Sequence, residues 1–134
     1  YEKGAKITVT YNRDKEKGIQ LGRELEAKVV SIQEIDNEEI DVLINCSPVG
    51  MSPNLEETPI SSRCLRKGMV VFDSVYNPLE TRLIREAKVA GCVTISGVEL
   101  FVNQAVGQFE LWTRQKAPAE LMRDVVLQGL DSKI

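Results

Sequence analysis

Short runs of β-branched and apolar residues alternate with helical segments along this chain, and this alternation constrains its fold more than any other feature. The runs predict strands at residues 5–11, 28–32, 41–46, 69–74 and 92–96. Helical periodicity predicts helices at about residues 14–25, 79–90, 97–112 and 118–128. Strands that are apolar on both faces and alternate with helices form parallel sheets covered on both sides. The sequence therefore predicts an α/β fold with a parallel sheet between helices.

The composition limits what a chain of this kind can bind. Its 134 residues, 43% of them hydrophobic, suffice for one core of ordinary domain size. The net charge of −3 supplies no large positive field to hold nucleic acid or an anionic membrane surface. Its apolar runs are too short to cross a bilayer. We therefore expect neither nucleic acid nor a membrane as a partner.

Cysteine and histidine narrow the chemistry further. Cys46, Cys64 and Cys92 are widely separated, so they form neither a disulfide framework nor a C-x-x-C metal or redox pair. This usage favours a reducing compartment. The sequence contains no histidine, which removes the commonest general base, the commonest metal ligand and every Ser-His or Cys-His nucleophile. We expect no metal site.

The sequence opens on YEKGAKITV, without a methionine. These residues are typical of the last turn of a helix, a C-cap at Gly4 and then a strand. We therefore expect the chain to be part of a longer protein.

A polar, basic segment, YNRDKEK, follows the first predicted strand. In dinucleotide-binding folds an acidic residue at the end of the second strand holds the ribose of NAD, whereas an Arg there can hold the 2′-phosphate of NADP. Arg13 suits a phosphate because its planar guanidinium donates two parallel hydrogen bonds, and Lys15 and Lys17 lie close by. The alternative is an ordinary helix start, with Asn12 as the N-cap and Asp14 in the first turn.

Two further segments follow the ends of predicted strands. INCSPVGMSPN ends the third strand and opens an irregular stretch at residues 47–68. Long loops in compact domains are usually functional or disordered, and ligands of open α/β sheets bind beyond the carboxyl ends of the strands. FDSVYNPLET places Asp73 at the end of the fourth strand and Tyr76 in the turn after it. The alternative is turn chemistry alone, with Asp73 bonded to backbone and Tyr76 packed with its hydroxyl exposed.

The segment GVELFVNQAVGQFELW predicts a helix whose start abuts the ligand-binding edge of the sheet. Glu99, Asn103 and Glu110 form its predicted solvent face. Its predicted buried stripe is made by apolar residues spaced three or four apart, namely Val98, Val102, Ala105, Phe109 and Trp112. Leu100, Phe101 and Leu111 widen this stripe to an apolar arc, and Gln104 and Gln108 fall inside it. A buried amide without partners costs about 1–3 kcal/mol, so we expect either a polyhydroxylated ligand or buried backbone groups to satisfy them.

In this order and spacing, the segments resemble the C-terminal, nucleotide-binding part of the shikimate dehydrogenase family. The family includes shikimate and quinate dehydrogenases and the dehydrogenase half of bifunctional dehydroquinate dehydratase–shikimate dehydrogenases. The most specific match is VFDSVYNPLETRLIREAKVAGCVTISGVELFVNQAVGQFELWT, and the resemblance covers nearly all 134 residues. It implies a Rossmann-like, doubly wound parallel sheet. It also implies an NADP-dependent oxidoreductase that interconverts 3-dehydroshikimate and shikimate, in the pathway to chorismate and the aromatic amino acids.

The resemblance implies roles for individual residues. Asn12 and Arg13 match the Asn-Arg-Thr cofactor motif, with Arg13 facing the adenosine 2′-phosphate and Lys17 nearby. The family's Thr is Asp14 here, and a carboxylate beside a phosphate weakens the preference for NADP and favours dual use or NAD. Further cofactor contacts are implied at Ser47, Ser74 and Gly97, and substrate contacts at Tyr76 and Gln104. Gln108 either assists Gln104 or satisfies buried backbone. Pro48 stands where the family has a hydroxyl residue, and it removes a backbone donor beside Ser47.

The resemblance further implies that residues 1–134 are a partial NADP-binding domain with C-terminal helices. The first Rossmann strand and the Gly-rich loop are missing, which predicts a gap between two groups of strands. The catalytic Lys and Asp of the family belong to an N-terminal substrate domain that is also absent. Two alternatives remain: a non-catalytic regulatory homologue, similar to fungal repressors, that binds quinate or shikimate, and an unrelated doubly wound binding module. Family members are cytoplasmic in microbes and plastidic in plants.

Overall fold

The computed structural model describes residues 4–131 of the chain. The helix end that the sequence suggests before Gly4 lies outside this range. The strands are β1 (Thr8–Tyr11), β2 (Lys28–Ser31), β3 (Val42–Asn45), β4 (Val70–Asp73) and β5 (Val93–Ile95). The α-helices are α1 (Lys15–Glu24), α2 (Arg82–Val89), α3 (Gly97–Thr113) and α4 (Ala119–Asp131). All the predicted strands and helices are present, so the predicted α/β alternation is confirmed.

Several element boundaries differ from the prediction. Helix α2 begins at Arg82 rather than near residue 79, because the hydroxyl of Thr81 caps it by accepting a hydrogen bond from the backbone N–H of Ile84 at 3.3 Å. Each strand is one to three residues shorter than predicted, although flanking residues such as Asp41 and Ser74 still hydrogen-bond to the neighbouring strand. The described chain also contains two short 3₁₀ helices, Ile32–Asn37 and Ser62–Cys64.

The described strands form two sheets, β1-β2 and β3-β4-β5, with parallel pairing throughout. The expected division of the strands into two groups is therefore confirmed. The chain correspondingly divides into two compact units, Tyr1–Glu39 and Ile40–Ile134. None of the helices within residues 4–131 is long and apolar enough to cross a membrane.

In the first unit, α1 connects β1 to β2 and packs on both strands. Two glycines one turn apart allow the close approach. A Cβ added at Gly18 would lie 2.8 Å from the Cβ of Tyr11, and one added at Gly22 would lie 2.1 Å from Cγ2 of Val29. Any larger side chain at either position would therefore push the helix off the strands.

In the second unit, α2 packs on one face of the β3-β4-β5 sheet. Leu83, Ile84 and Ala87 of α2 are buried, as are Leu43 of β3 and Val71 of β4. The α3 and α4 helices contact each other, and the guanidinium of Arg123 donates to the Glu99 carboxylate at 2.7 and 3.1 Å. Glu99 therefore contacts α4 while its side chain remains 41% exposed, and the other two residues of the predicted solvent face, Asn103 and Glu110, are exposed.

The opposite face of this sheet departs from the prediction of a sheet covered on both sides. It aligns Val42 with Val70 and Val93, and Ile44 with Phe72 and Ile95. Four of these six side chains are 41–57% exposed: Val42, Ile44, Val93 and Ile95. Apolar residues on both faces of a strand indicate that both faces can be buried. Within the described residues, α2 covers one of the two faces of this sheet.

Candidate functional site

A cavity of about 380 Å³ lies beyond the carboxyl ends of β3 and β4. The loop after β3 and the loop after β4 line it, with Cys46, Ser47, Pro48, Met51, Ser74, Val75, Tyr76 and Asn77. Parallel neighbouring strands end at the same edge of a sheet, which brings these two loops together. Three of the residues predicted from the sequence, Ser47, Ser74 and Tyr76, thus share one cavity.

Asp73 is the centre of a buried hydrogen-bond network beneath this cavity. Its side chain is fully buried. Its carboxylate accepts from Nδ2 of Asn45 at 2.9 Å, from the hydroxyl of Thr81 at 2.6 Å and from the backbone N–H of Val75 at 3.0 Å. The network therefore ties the ends of β3 and β4 to each other and to the start of α2. The interpretation that Asp73 bonds to neighbouring backbone is confirmed, and the network extends it to two side chains.

Asn45 shapes the loop that carries Ser47. Its Oδ1 accepts from the backbone N–H of Ser47 at 3.1 Å and from the Ser47 hydroxyl at 2.7 Å. The Ser47 oxygen in turn accepts from the backbone N–H of Val49 at 3.3 Å. Both donors of Ser47 are engaged within the protein, so a ligand beside it meets a loop whose shape is already fixed.

Gly97 brings the first turn of α3 against the loop after β4. A Cβ added there would lie 2.4 Å from the carbonyl oxygen of Val75 and 2.5 Å from that of Ser74. These atoms belong to the backbone and cannot rotate away, so only glycine permits this approach. Gly97 therefore places the start of a 17-residue helix at the edge of the sheet that carries the cavity.

The ring of Tyr76 stacks on that of Phe101 from α3, with centroids 4.9 Å apart and planes inclined by 28°. Gln104 lies three residues after Phe101 and therefore on the same side of α3. The sequence pattern places Phe101 only in the apolar arc of the helix. The signal that could have identified it was its spacing from Gln104.

The apolar arc of α3 is buried only in its first half, which corrects the sequence interpretation. Val98 and Val102 are buried, but Trp112 is 74% exposed. Gln104 and Gln108 are both exposed, so neither amide needs a partner within the fold. The pattern failed because it marks which residues could be buried, while only Gly97, Val98 and Val102 of α3 are fully buried and Ala105 and Phe109 are half-buried.

The remaining predicted residues lie in the first unit, at the start of α1. Asp14, not Asn12, is the N-cap of α1, because its carboxylate accepts from the backbone N–H of Lys17 at 3.0 Å. It also forms an ion pair with Nζ of Lys17 at 3.2 Å. Arg13 and Asn12 are exposed. Within the described residues, no carboxylate pairs with the Arg13 guanidinium.

Acidification is expected to weaken the start of α1. The pKa of Asp14 lies below its ordinary value of 3.8, chiefly because the carboxylate accepts the Lys17 backbone hydrogen bond and also because it bonds to the Lys17 side chain. A carboxyl group with a lowered pKa stabilises the fold above its unfolded pKa, and this contribution is lost as the pH falls through the folded pKa. Denaturation midpoints of the wild type and Asp14→Ala should therefore differ at neutral pH and converge in acid.

Asp14→Asn is the control for this titration. It retains a capping oxygen without a charge, so its midpoint relative to Asp14→Ala should not change over the same acidic range. A difference between wild type and Asp14→Ala that is independent of pH would contradict the assignment of Asp14 as a charged cap.

Comparison with known proteins shows which family this chain resembles. Residues 97–127 match the model of the shikimate 5′-dehydrogenase C-terminal domain. The chain is 46% identical, over 123 residues, to the chloroplastic bifunctional 3-dehydroquinate dehydratase/shikimate dehydrogenase of Arabidopsis thaliana, covering 90% of this chain and 20% of that protein. It is 42% identical, over 139 residues, to the shikimate dehydrogenase (NADP(+)) of Methanosarcina acetivorans, covering 96% of this chain and 49% of that protein.

Solved structures of shikimate dehydrogenases also match this chain. The crystal structure of shikimate 5-dehydrogenase from Thermus thermophilus, in complex with NADP(H) and shikimate, superposes with a TM-score of 0.83 at 26% identity. The match covers 96% of this chain and 48% of that one. The chain thus spans about half the length of the single-function relative from Methanosarcina and of this structure.

Proposed function

Because the chain belongs to the shikimate dehydrogenase family, as the counterpart of its C-terminal part, we propose that it is the cofactor-binding portion of an NADP-dependent enzyme that interconverts 3-dehydroshikimate and shikimate. The observation that carries the proposal is identity of 42% over 96% of the chain to a shikimate dehydrogenase. The cavity at the ends of β3 and β4 supports it, because ligands of open α/β sheets bind at this edge.

NADP fits the described residues at its adenosine end. Arg13 is exposed and has no carboxylate partner among the described residues, so its guanidinium is free to bind the 2′-phosphate in a bidentate manner. Asp14 uses its carboxylate to cap α1 and to pair with Lys17, so its charge is partly offset. This arrangement keeps NADP as the proposed cofactor, while NAD, whose bare 2′-hydroxyl can donate to Asp14, is the second candidate.

The residues proposed to contact the nicotinamide and the substrate lie in the second unit. NADP supplies the hydride acceptor or donor when bound. The backbone at Ser74 and Gly97 would border the nicotinamide. The close contact between α3 and the loop after β4 holds this backbone in place. Tyr76 and Gln104 would bind substrate hydroxyls, because a phenol and an amide can each donate and accept. Both side chains are exposed, which leaves them accessible to a small polyhydroxylated molecule.

We do not assign the proton transfer of this reaction to any of the described residues. Oxidation of a secondary alcohol by hydride transfer also releases a proton, which needs a base. The Lys and Asp pair of the family's N-terminal substrate domain would act as that base, and this domain lies outside this sequence. We therefore expect the 134-residue chain alone to show neither turnover nor tight NADP binding.

The proposal is tested in the complete protein that contains this chain, by following shikimate-dependent formation of reduced nicotinamide with NADP+ and with NAD+. Gln104→Ala and Gln108→Ala form a matched pair, since both amides are exposed and lie about one turn apart on α3. We expect Gln104→Ala to raise the KM for shikimate about tenfold, as the loss of one substrate hydrogen bond predicts. Gln108→Ala should leave this KM within about twofold of the wild type, which is the ordinary range for an exposed substitution.

Two outcomes would contradict the proposal. One is a complete protein that binds shikimate, seen as a change in Trp112 fluorescence, but reduces neither cofactor. That result would favour a non-catalytic regulatory homologue that binds quinate or shikimate. The other is an equal effect of both glutamine substitutions, which would remove Gln104 from the substrate site.

A further inference from the structure

The stacked pair of Tyr76 and Phe101 joins two separately anchored parts of the second unit. Tyr76 lies in the loop after β4, where Asp73 holds the backbone N–H of Val75. Phe101 lies on α3, which is anchored by the buried side chains of Val98 and Val102. The ring contact therefore spans from a fixed loop to a fixed helix.

The tyrosine side chain depends on this contact for its orientation. Its hydroxyl makes no hydrogen bond to the described residues, and 42% of Tyr76 is exposed. An exposed aromatic side chain otherwise moves between rotamers within nanoseconds. A stacked partner at 4.9 Å restricts that motion. Phe101 is itself 40% exposed, so the pair leaves part of each ring open to the surroundings of the cavity.

We propose that Phe101 is a positioning residue that orients Tyr76 for the binding of substrate, an inference that rests on the proposed function. Phe101 does not touch the substrate in this scheme. Its ring holds the phenol in the direction in which the hydroxyl can reach a substrate hydroxyl together with Gln104, which lies on the same side of α3. Without the stack, substrate binding must also order the tyrosine side chain, and that entropy is subtracted from the affinity.

This scheme makes a specific kinetic statement. Phe101→Leu removes the ring and retains an apolar side chain, so α3 keeps its packing. An aromatic pair of this kind accounts for about a two- to tenfold change in an equilibrium constant. We expect Phe101→Leu in the complete protein to raise the KM for shikimate by that factor, and to leave the KM for NADP+ unchanged. The dissociation constant for shikimate, measured by Trp112 fluorescence, should rise in parallel.

Three further variants separate positioning from a purely structural role. Phe101→Tyr retains the ring and should restore the wild-type KM for shikimate. Leu111→Ala removes an apolar side chain that is 64% exposed on the same helix, and it should have no effect on that KM. Adding Phe101→Leu to Tyr76→Ala should cause no further loss, because the side chain that Phe101 orients is already gone.

The outcomes distinguish the two proposals. A wild type that shows no shikimate-dependent reduction overturns the proposed function, and this inference with it. A wild type that is active while Phe101→Leu retains its KM for shikimate overturns the inference alone. An equal rise in both KM values, or a full additional loss in the Tyr76→Ala background, also overturns it, because either result indicates general disruption of α3.

Discussion

Replacing Gly97 with alanine is expected to destabilise the protein by about 3 kcal/mol and to impair the proposed site. The added Cβ would lie 2.4 Å from one backbone carbonyl oxygen and 2.5 Å from another. Real Cβ atoms do not come this close to other atoms, so either α3 or the loop after β4 must shift. Overpacking of this kind costs about 1–3 kcal/mol and sometimes more, and here both neighbours are backbone. The measurement is the free energy of unfolding from denaturant titration.

Gly107→Ala is the matched control in the same helix. Nothing lies within 4 Å of a Cβ added at Gly107, and the position is interior to α3. Alanine there removes the conformational freedom of glycine from the unfolded chain, so it should stabilise the protein by about 0.5–1 kcal/mol. Opposite signs for the two substitutions would support the packing role of Gly97. If both proved neutral, the close approach of α3 to Ser74 and Val75 would be refuted.

The order of strands and helices could be predicted from the sequence because periodicity is a local property. The strands are short runs rich in β-branched and apolar residues, and helices such as α2 and α3 repeat their apolar positions at the helical spacing. The position of the cavity followed as well, since ligand sites of such sheets lie beyond the carboxyl ends of the strands. That argument brings the loops after β3 and β4 to one edge of the sheet, whereas the resemblance to the family is what singled out Ser47, Ser74 and Tyr76 within them.

Contacts between distant residues could not be predicted in the same way. Asn45 and Asp73 are 28 residues apart, and nothing in either segment states that one bonds to the other. The stack of Tyr76 on Phe101 is equally a result of packing. The N-cap of α1 could not be predicted either. Asn12 and Asp14 are both good N-caps, and only the path of the chain decides between them.

The exposed half of α3 shows a different limit of sequence patterns. An apolar arc that includes Trp112 and Leu111 predicts burial, yet these side chains are 74% and 64% exposed. The pattern records that such residues favour contact with another surface and does not say which surface provides it. The same reasoning applies to Val42 and Ile44 on the exposed sheet face.

Removal of the Asp73 carboxylate is expected to have the second large effect, a loss of about 4 kcal/mol in the free energy of unfolding. Asp73→Ala leaves three buried donors without their acceptor: Nδ2 of Asn45, the hydroxyl of Thr81 and the backbone N–H of Val75. Each buried donor without a partner costs about 1–3 kcal/mol, and the costs are not additive because neighbouring groups relax. Denaturant unfolding of the wild type and the variant measures the difference.

Two controls identify the source of that loss. Asp73→Asn should cost less than Asp73→Ala, because the amide oxygen still accepts and the Thr81 hydroxyl can rotate to accept from the amide nitrogen. Asp41→Ala removes an exposed carboxylate just before β3, and it should change stability by no more than about 0.5 kcal/mol. If Asp73→Ala were as mild as Asp41→Ala, the loops that carry Ser47 and Tyr76 would not depend on the Asp73 network. The preorganisation of the cavity would then have to come from the backbone of the two loops themselves.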